Sequence, residues 1–285
     1  MSLSNLIIVG GMRSGTTSLF RYLCNSKEIA ASHVKELNFF VDYDINPSHY
    51  KNNFSINNIS KYTLESSPVY FAQPECFLNN VANFYDLNKV IPIFIFRNKL
   101  ERMESVYYST IRSGVISDVS LKKFLQDAVS NDSDLSYVSS GHRDYMDGVL
   151  NLGQKRALEI VQDSGLFKKV LWVEFDDLRS DPASLVSRLA SMLGVDSFEF
   201  DYEIENQSIV PKFPNIYRAA LVINSILEPF LNRVPRVRSF IRGVHHKINN
   251  KGKDEFVDEA LQIECQKEDE TIRSILNGNS IFVKV

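Results

Sequence analysis

The chain alternates between short, uninterrupted apolar runs and longer stretches in which apolar residues recur every three or four positions. Leu6-Ile7-Ile8-Val9, Val90-Ile91-Pro92-Ile93-Phe94-Ile95-Phe96 and Val170-Leu171-Trp172-Val173-Glu174-Phe175 are runs of the first kind. A run without polar alternates predicts a strand covered on both faces. Pro92 lacks a ladder donor and argues against pairing of its strand along the whole length. Helical spacing occurs at Thr17–Leu23, Pro74–Tyr85, Leu100–Arg112, Leu121–Val129, Arg143–Gln162 and Pro182–Leu193, the last with Asp181 as N-cap and Gly194 as stop. Strands separated by such helices need crossover connections. The pattern therefore predicts an α/β fold with a central, mainly parallel sheet flanked by helices.

After Asp201 the alternation ceases. Helical patterns at Ile216–Leu231 and Asp254–Leu276 predict a helical C-terminal region, with a basic segment from Arg233 to Lys247 between them. The stretch from Asp42 to Lys61 is rich in Asn, Ser and Tyr, lacks periodicity, and predicts a surface excursion. No repeat or low-complexity linker divides the chain, so a single domain over residues 1–285 is expected.

Composition narrows the chemistry. The 285 residues are 44% hydrophobic, enough for one large core. A net charge of −3 provides no global field toward nucleic acid or an anionic membrane, and neither is expected as a partner. Any anion site must be local; the segment from Arg233 to Lys247 is either a solvated face or a means of steering an anionic acceptor. Cys24, Cys76 and Cys265 are widely spaced and odd in number, which forms neither a disulfide framework nor a metal-ligand pattern. Reduced thiols and a cytoplasmic location follow as expectations. No apolar run approaches the ~18 residues of a membrane span, so stable membrane insertion is not expected. Nothing in the pattern indicates the oligomeric state.

The local anion site is indicated by Gly10-x-x-x-x-Gly15-Thr16-Thr17, which joins the first strand to the first helix. Backbone N–H groups and the helix dipole converge on such a turn. Thr16 stands where the Walker A loop of nucleoside-triphosphate enzymes requires Lys. The cation is supplied instead by Arg13, inside the turn, within reach of a shorter phosphate or phosphosulfate. A glycine turn that binds nothing is the alternative; the donor-rich Arg13-Ser14-Gly15-Thr16-Thr17 favours the anion site.

Arg13-Ser14-Gly15-Thr16-Thr17 resembles the 5′-phosphosulfate loop of sulfotransferases that use 3′-phosphoadenosine 5′-phosphosulfate (PAPS), and the motif pattern is most similar to heparan-type and bacterial carbohydrate members. The resemblance implies a P-loop-like sulfotransferase fold, with Arg13, Ser14, Gly15, Thr16, Thr17 and Ser18 around the 5′ end of the donor. Arg97-Asn98-Lys99-Leu100-Glu101-Arg102-Met103-Glu104-Ser105-Val106-Tyr107 resembles the family's 3′-phosphate element, which assigns Arg97 and Ser105 to that phosphate. Arg97 would also emerge at the carboxyl end of a parallel strand, where open α/β sheets bind ligands. A short loop near Lys212 resembles one in bacterial relatives and adds Lys212 to the donor site.

Lys35-Glu36-Leu37-Asn38-Phe39-Phe40 resembles the E-x-x-F-F segment that carries the catalytic carboxylate, which implies Glu36 as base. Its two aromatic neighbours are expected to desolvate it. His33 is the second candidate base, since imidazole titrates near neutrality, and Lys35 is a possible further cation at the transferring group. Glu65-Ser66-Ser67-Pro68-Val69-Tyr70 resembles a segment lining the acceptor cleft, and Tyr145 falls in a region resembling the acceptor helix. Glu65, Tyr70, Tyr145 and Lys35 are thus the expected acceptor contacts, Glu65 orienting either a donor-site cation or an acceptor hydroxyl. The implied reaction moves a sulfuryl group from PAPS to a hydroxyl or amine of a small-molecule or glycan acceptor, with carbohydrate first. It releases adenosine 3′,5′-bisphosphate and requires no metal. The alternatives are an atypical P-loop nucleotide or small-molecule kinase and a nucleotide-binding protein without chemistry. Asp176-Asp177 after the third strand could mimic a Walker B, but helix capping is the more economical role.

Overall fold

The computed structural model describes residues 4–42, 46–130, 134–196, 198 and 258–285. Lys212, the helical pattern Ile216–Leu231 and the basic segment Arg233 to Lys247 lie outside the described residues. In chain order the elements are β1 (Ser4–Ile8), α1 (Thr16–Leu23), β2 (Ile29–Ala31), α2 (Pro47–Lys51), β3 (Tyr62–Ser66), α3 (Val69–Ala72), α4 (Pro74–Phe84) and β4 (Val90–Phe96). There follow α5 (Lys99–Ser113), α6 (Leu121–Ser130), α7 (Arg143–Asp147), α8 (Gly153–Ser164), β5 (Val170–Glu174), α9 (Phe175–Ser180), α10 (Pro182–Leu193), α11 (Glu259–Gly278) and β6 (Phe282–Lys284).

The described strands form one six-stranded sheet in the order β2-β3-β1-β4-β5-β6, and every pair is parallel. The apolar runs explain its two-sided burial. Successive side chains of a strand point to opposite faces, so Ile7, Phe94, Phe96 and Trp172 enter one core with α4, α8 and α11. Leu6, Ile8, Ile93, Ile95, Leu171 and Val173 enter the other, with α1 and α10. Each fully buried aliphatic side chain here contributes about 1.5–3 kcal/mol. A third cluster, in which Met103 and Val106 of α5 meet Phe124 and Leu125 of α6, packs beside the sheet. Among the described residues no helix is long and apolar enough to cross a membrane.

Pro92 behaves as its chemistry requires. Val9 N donates to Ile93 O at 3.0 Å, so Ile93 faces β1 and Pro92 faces the opposite neighbour. Pairing on that side, with β5, begins at Ile93, and no ladder donor is asked of Pro92. Helix α10 matches its expected limits: Ser184 N donates to the Asp181 cap at 3.1 Å, and Gly194 closes the helix at φ 64°.

Three expectations are corrected. The sheet has β2, β3 and β6 in addition to the three long apolar runs. β2 and β6 are only three residues each, and β3 hides Glu65 and Ser66 inside, so none reads as an apolar run. The stretch from Asp42 to Lys61 is not purely a surface excursion, because Tyr50 and Phe54 are buried in the main core; α2, which carries Tyr50, is too short to show a period. The continuous helix expected over Arg143–Gln162 is interrupted by a π turn at Gly148–Leu152. Gly153 adopts φ 67° after it, outside the helical region open to other residues. Gly148 lies against the α3 backbone so closely that a Cβ would come within 2.0 Å of Ala72 O.

Gly148→Ala must therefore push α3 and the π turn apart. We expect it to destabilise the protein by about 1–3 kcal/mol, read as a lower urea midpoint at unchanged slope; a wild-type midpoint refutes the close contact.

Candidate active site

The crevice of a parallel sheet opens at the carboxyl ends of its strands, where neighbouring connections diverge to opposite faces. Here β1 runs into the glycine-bearing turn and α1, while β4 runs into Arg97 and α5. A cleft of about 720 Å³ lies over these ends and includes the first turn of α1, Arg13, Arg97 and Glu36 in its lining.

Gly15 is the N-cap of α1 at φ 86° and offers no side-chain cap. The first amides of the helix accordingly face the cleft with Thr16, Thr17 and Ser18, the arrangement that receives an anion. A Cβ on Gly15 would lie 2.8 Å from Leu178 of α9, so α9 closes against the turn as only glycine permits. Ser14 is fully buried; its hydroxyl turns inward to Gln154, 3.4 Å away, and does not line the cleft.

Arg13 occupies φ 67°, an unfavourable region for a residue with a Cβ. Two contacts from distant parts of the chain hold it. Its Nε donates to Ser105 Oγ at 2.9 Å, and Arg97 Nη1 donates to its main-chain oxygen at 2.6 Å. Arg13, Arg97 and Ser105 thus form one cluster. Burial, then repulsion from Arg112 and Arg97, brings the Arg13 guanidinium down to about 10, the signature of positive charge gathered in a desolvated place. Arg97 lies 4.1 Å over the Phe175 ring, its own pKa is lowered chiefly by burial, and its Nε is a buried donor without a hydrogen-bond partner.

On the other wall, Glu36 sits at φ 67° and Asn38 at φ 55°, and both line the cleft. The Glu36 carboxylate pairs with Lys35 and its side chain remains 51% exposed. The expected desolvation by its aromatic neighbours is corrected: Phe39 packs inward on Tyr50 and Phe84, and Phe40 on Tyr50 and Tyr70, leaving Glu36 to solvent. Tyr145 reaches the cleft, and burial followed by the nearby Glu36 charge raises its phenol, which keeps its proton.

Other expected residues lie elsewhere. His33 is exposed and bonded to Ser55 at 2.7 Å, outside the cleft lining. Glu65 and Tyr70 are buried beneath the cleft floor rather than in contact with it, at 1% exposure each. Asp176 and Asp177 lie in the first turn of α9, paired to Arg179 and Arg188, and among the described residues no three His, Cys, Asp or Glu side chains are grouped to hold a metal. The cleft also contains Phe175, Arg179, Ser109 and His142, which the sequence reading did not single out. For Phe175 and Arg179 a signal existed: they follow the carboxyl end of β5, by the same crevice rule that points to Arg97.

The cleft at the ends of β1 and β4 and the sheet beneath it define the class of architecture: the chain has the sulfotransferase fold. It is similar to the sulfotransferase from Alicyclobacillus acidocaldarius, with 19% identity and a TM-score of 0.57 over 83% of this chain and 96% of that one. Two looser likenesses are mouse sulfotransferase SULT7A1 complexed with PAP (14% identity, TM-score 0.47, 70% of this chain and 62% of that one) and the sulfotransferase domain from the curacin biosynthetic pathway (14%, 0.42, 75% and 85%). The fold assignment rests on the first. No family model and no curated protein sequence matches the chain.

Burial raises the Glu65 carboxyl from 4.5 to about 7, against hydrogen bonds from Tyr50, Tyr70 and Ser67 that lower it. The unfolded chain ionises near 4.5 and the folded one only near 7, so stability falls as pH rises across that window. Relative to Glu65→Gln, the wild type should lose roughly 3 kcal/mol between these limits, as measured by urea unfolding at a series of pH values. A difference independent of pH would contradict the raised value.

Proposed function

We propose that the protein is a PAPS-dependent sulfotransferase that moves a sulfuryl group to a hydroxyl or amine of a small-molecule or glycan acceptor, carbohydrate first. The observation that carries this function is the half-buried Arg13–Arg97–Ser105 cluster beside the uncapped start of α1. It supplies two desolvated guanidiniums, one with an unfilled buried donor, and a row of free helix amides, a fit to a ligand with two anionic ends. PAPS would supply the activated sulfuryl group and, once it has left, adenosine 3′,5′-bisphosphate.

The protein's own groups divide the work. The amides of Thr16 and Thr17 with the Arg13 guanidinium hold the 5′ end and stabilise negative charge growing on the leaving oxygen. The 3′-phosphate falls to Arg97 with Ser105, both of which contact Arg13. Glu36, on the facing wall, accepts the acceptor's proton as the new S–O or S–N bond forms and the bond from sulfur to the bridging oxygen breaks. Tyr145 remains protonated beside it and orients the acceptor as a hydrogen-bond donor. Cys24, Cys76 and Cys265 are all free thiols, which suits the cytoplasm.

Calorimetry tests the donor side. Adenosine 3′,5′-bisphosphate should bind without metal and more tightly than adenosine 5′-monophosphate, and Arg97→Gln should erase about 10- to 100-fold of that affinity, the worth of a charged hydrogen bond. Magnesium-dependent preference for ATP would support a kinase instead. On the acceptor side, Glu36→Gln should lower kcat for transfer from labelled PAPS by about 10²- to 10⁴-fold with bisphosphate affinity unchanged; full activity removes Glu36 from the role.

A further inference from the structure

The wall that carries Glu36 is held by a buried hydrogen-bond platform built on β3 and α3. Every second amide of the segment is fastened to it. Glu36 N donates to Ser66 O at 3.0 Å, Asn38 N to Ser67 Oγ at 3.1 Å, and Phe40 N to Tyr70 Oη at 3.3 Å. Beneath these contacts lies Glu65, whose two carboxylate oxygens each receive a tyrosine hydroxyl: Tyr50 at 2.8 Å and Tyr70 at 2.9 Å. Tyr70 spends its proton on Glu65, which leaves its oxygen lone pair for the Phe40 amide. Ser67, beside Glu65, contributes to lowering the carboxyl against burial, and its Oγ receives the Asn38 amide.

The arrangement has a task that packing alone does not explain. Two residues of the segment, Glu36 and Asn38, have positive φ without being glycine. Such conformations are unfavourable for residues with a Cβ and persist only where the surroundings over-determine them. A carboxylate with 1% exposure is also costly to bury, and this one touches neither the cleft nor a cation.

Building on the sulfotransferase function, we propose that Glu65 is a positioning residue that acts through Tyr70 and Ser67 to hold the strained Glu36 segment in its working conformation. It does not contact the acceptor. The role predicted for Glu65 and Tyr70 in the acceptor cleft is replaced by one from beneath it.

The test compares Glu65→Leu, Glu65→Gln and the milder Tyr70→Phe, which removes the Phe40 acceptor together with one of the two tyrosine donors to Glu65 and serves if the leucine variant does not fold. Hydrogen exchange at the Glu36, Asn38 and Phe40 amides should accelerate at least 10-fold in Glu65→Leu and at Phe40 in Tyr70→Phe. For both variants kcat should fall at least 10-fold, while affinity for adenosine 3′,5′-bisphosphate stays within twofold of wild type. Glu65→Gln, which can accept from one tyrosine and donate to the other, should recover most of both losses. Wild-type exchange or wild-type kcat in folded Glu65→Leu or Tyr70→Phe overturns the positioning role, and so does an equal loss of donor affinity, which general destabilisation would produce. Faster exchange in a protein whose wild type transfers no sulfate from PAPS overturns the function instead and leaves the platform standing.

Discussion

The cleft depends on one hydrogen bond, from the Arg97 guanidinium to the main-chain oxygen of Arg13. It joins the turn after β1 to the end of β4, and with the Arg13 to Ser105 contact it holds a backbone conformation that arginine would not adopt alone. Two cations are thereby kept close in a desolvated place. Repulsion between them is part of the design, because an arriving anion relieves it and gains more than it would at an exposed pair. Phe175 stacks against Arg97, and Glu101 pairs with it at 3.6 Å.

The opposite wall follows a different strategy. There the strain at Glu36 and Asn38 is borne by neutral acceptors backed by one buried acid rather than by charge pairing across the cleft. The β1–β3 ladder joins the two walls, but donor-binding and proton-accepting groups are set by different side-chain contacts. A substitution in one frame can then alter its own half of the reaction while leaving the other largely intact.

How much of this was legible depends on where polar groups are buried. β1, β4 and β5 were readable because both of their faces are apolar, and the phosphate turn because glycine, arginine and hydroxyl residues have few other reasons to stand together. Motif order assigned Arg97, Ser105 and Arg13 to one donor site, but their direct contacts with one another were not legible. β3 was illegible because Glu65 and Ser66 look like surface residues until Tyr50 and Tyr70 are known to meet the Glu65 carboxylate. Phe39 and Phe40 were correctly apolar, but periodicity does not tell which way a non-helical loop turns, and they face the core, not Glu36. The π turn depends on contact between Gly148 and the backbone of Ala72, a long-range relation that local spacing cannot encode.

One contact outside the cleft governs when it can form. Asp269 of α11 is buried and accepts Lys99 N at 3.0 Å and Asn98 Nδ2 at 2.6 Å, closing the start of α5 directly after Arg97. The two partners are 170 positions apart. During synthesis the turn bearing Arg97 must therefore wait for most of the chain to emerge before its brace exists. A nascent chain carries its phosphate loop early but lacks this brace until α11 has emerged, and a contact of such sequence separation is of the kind that forms slowly.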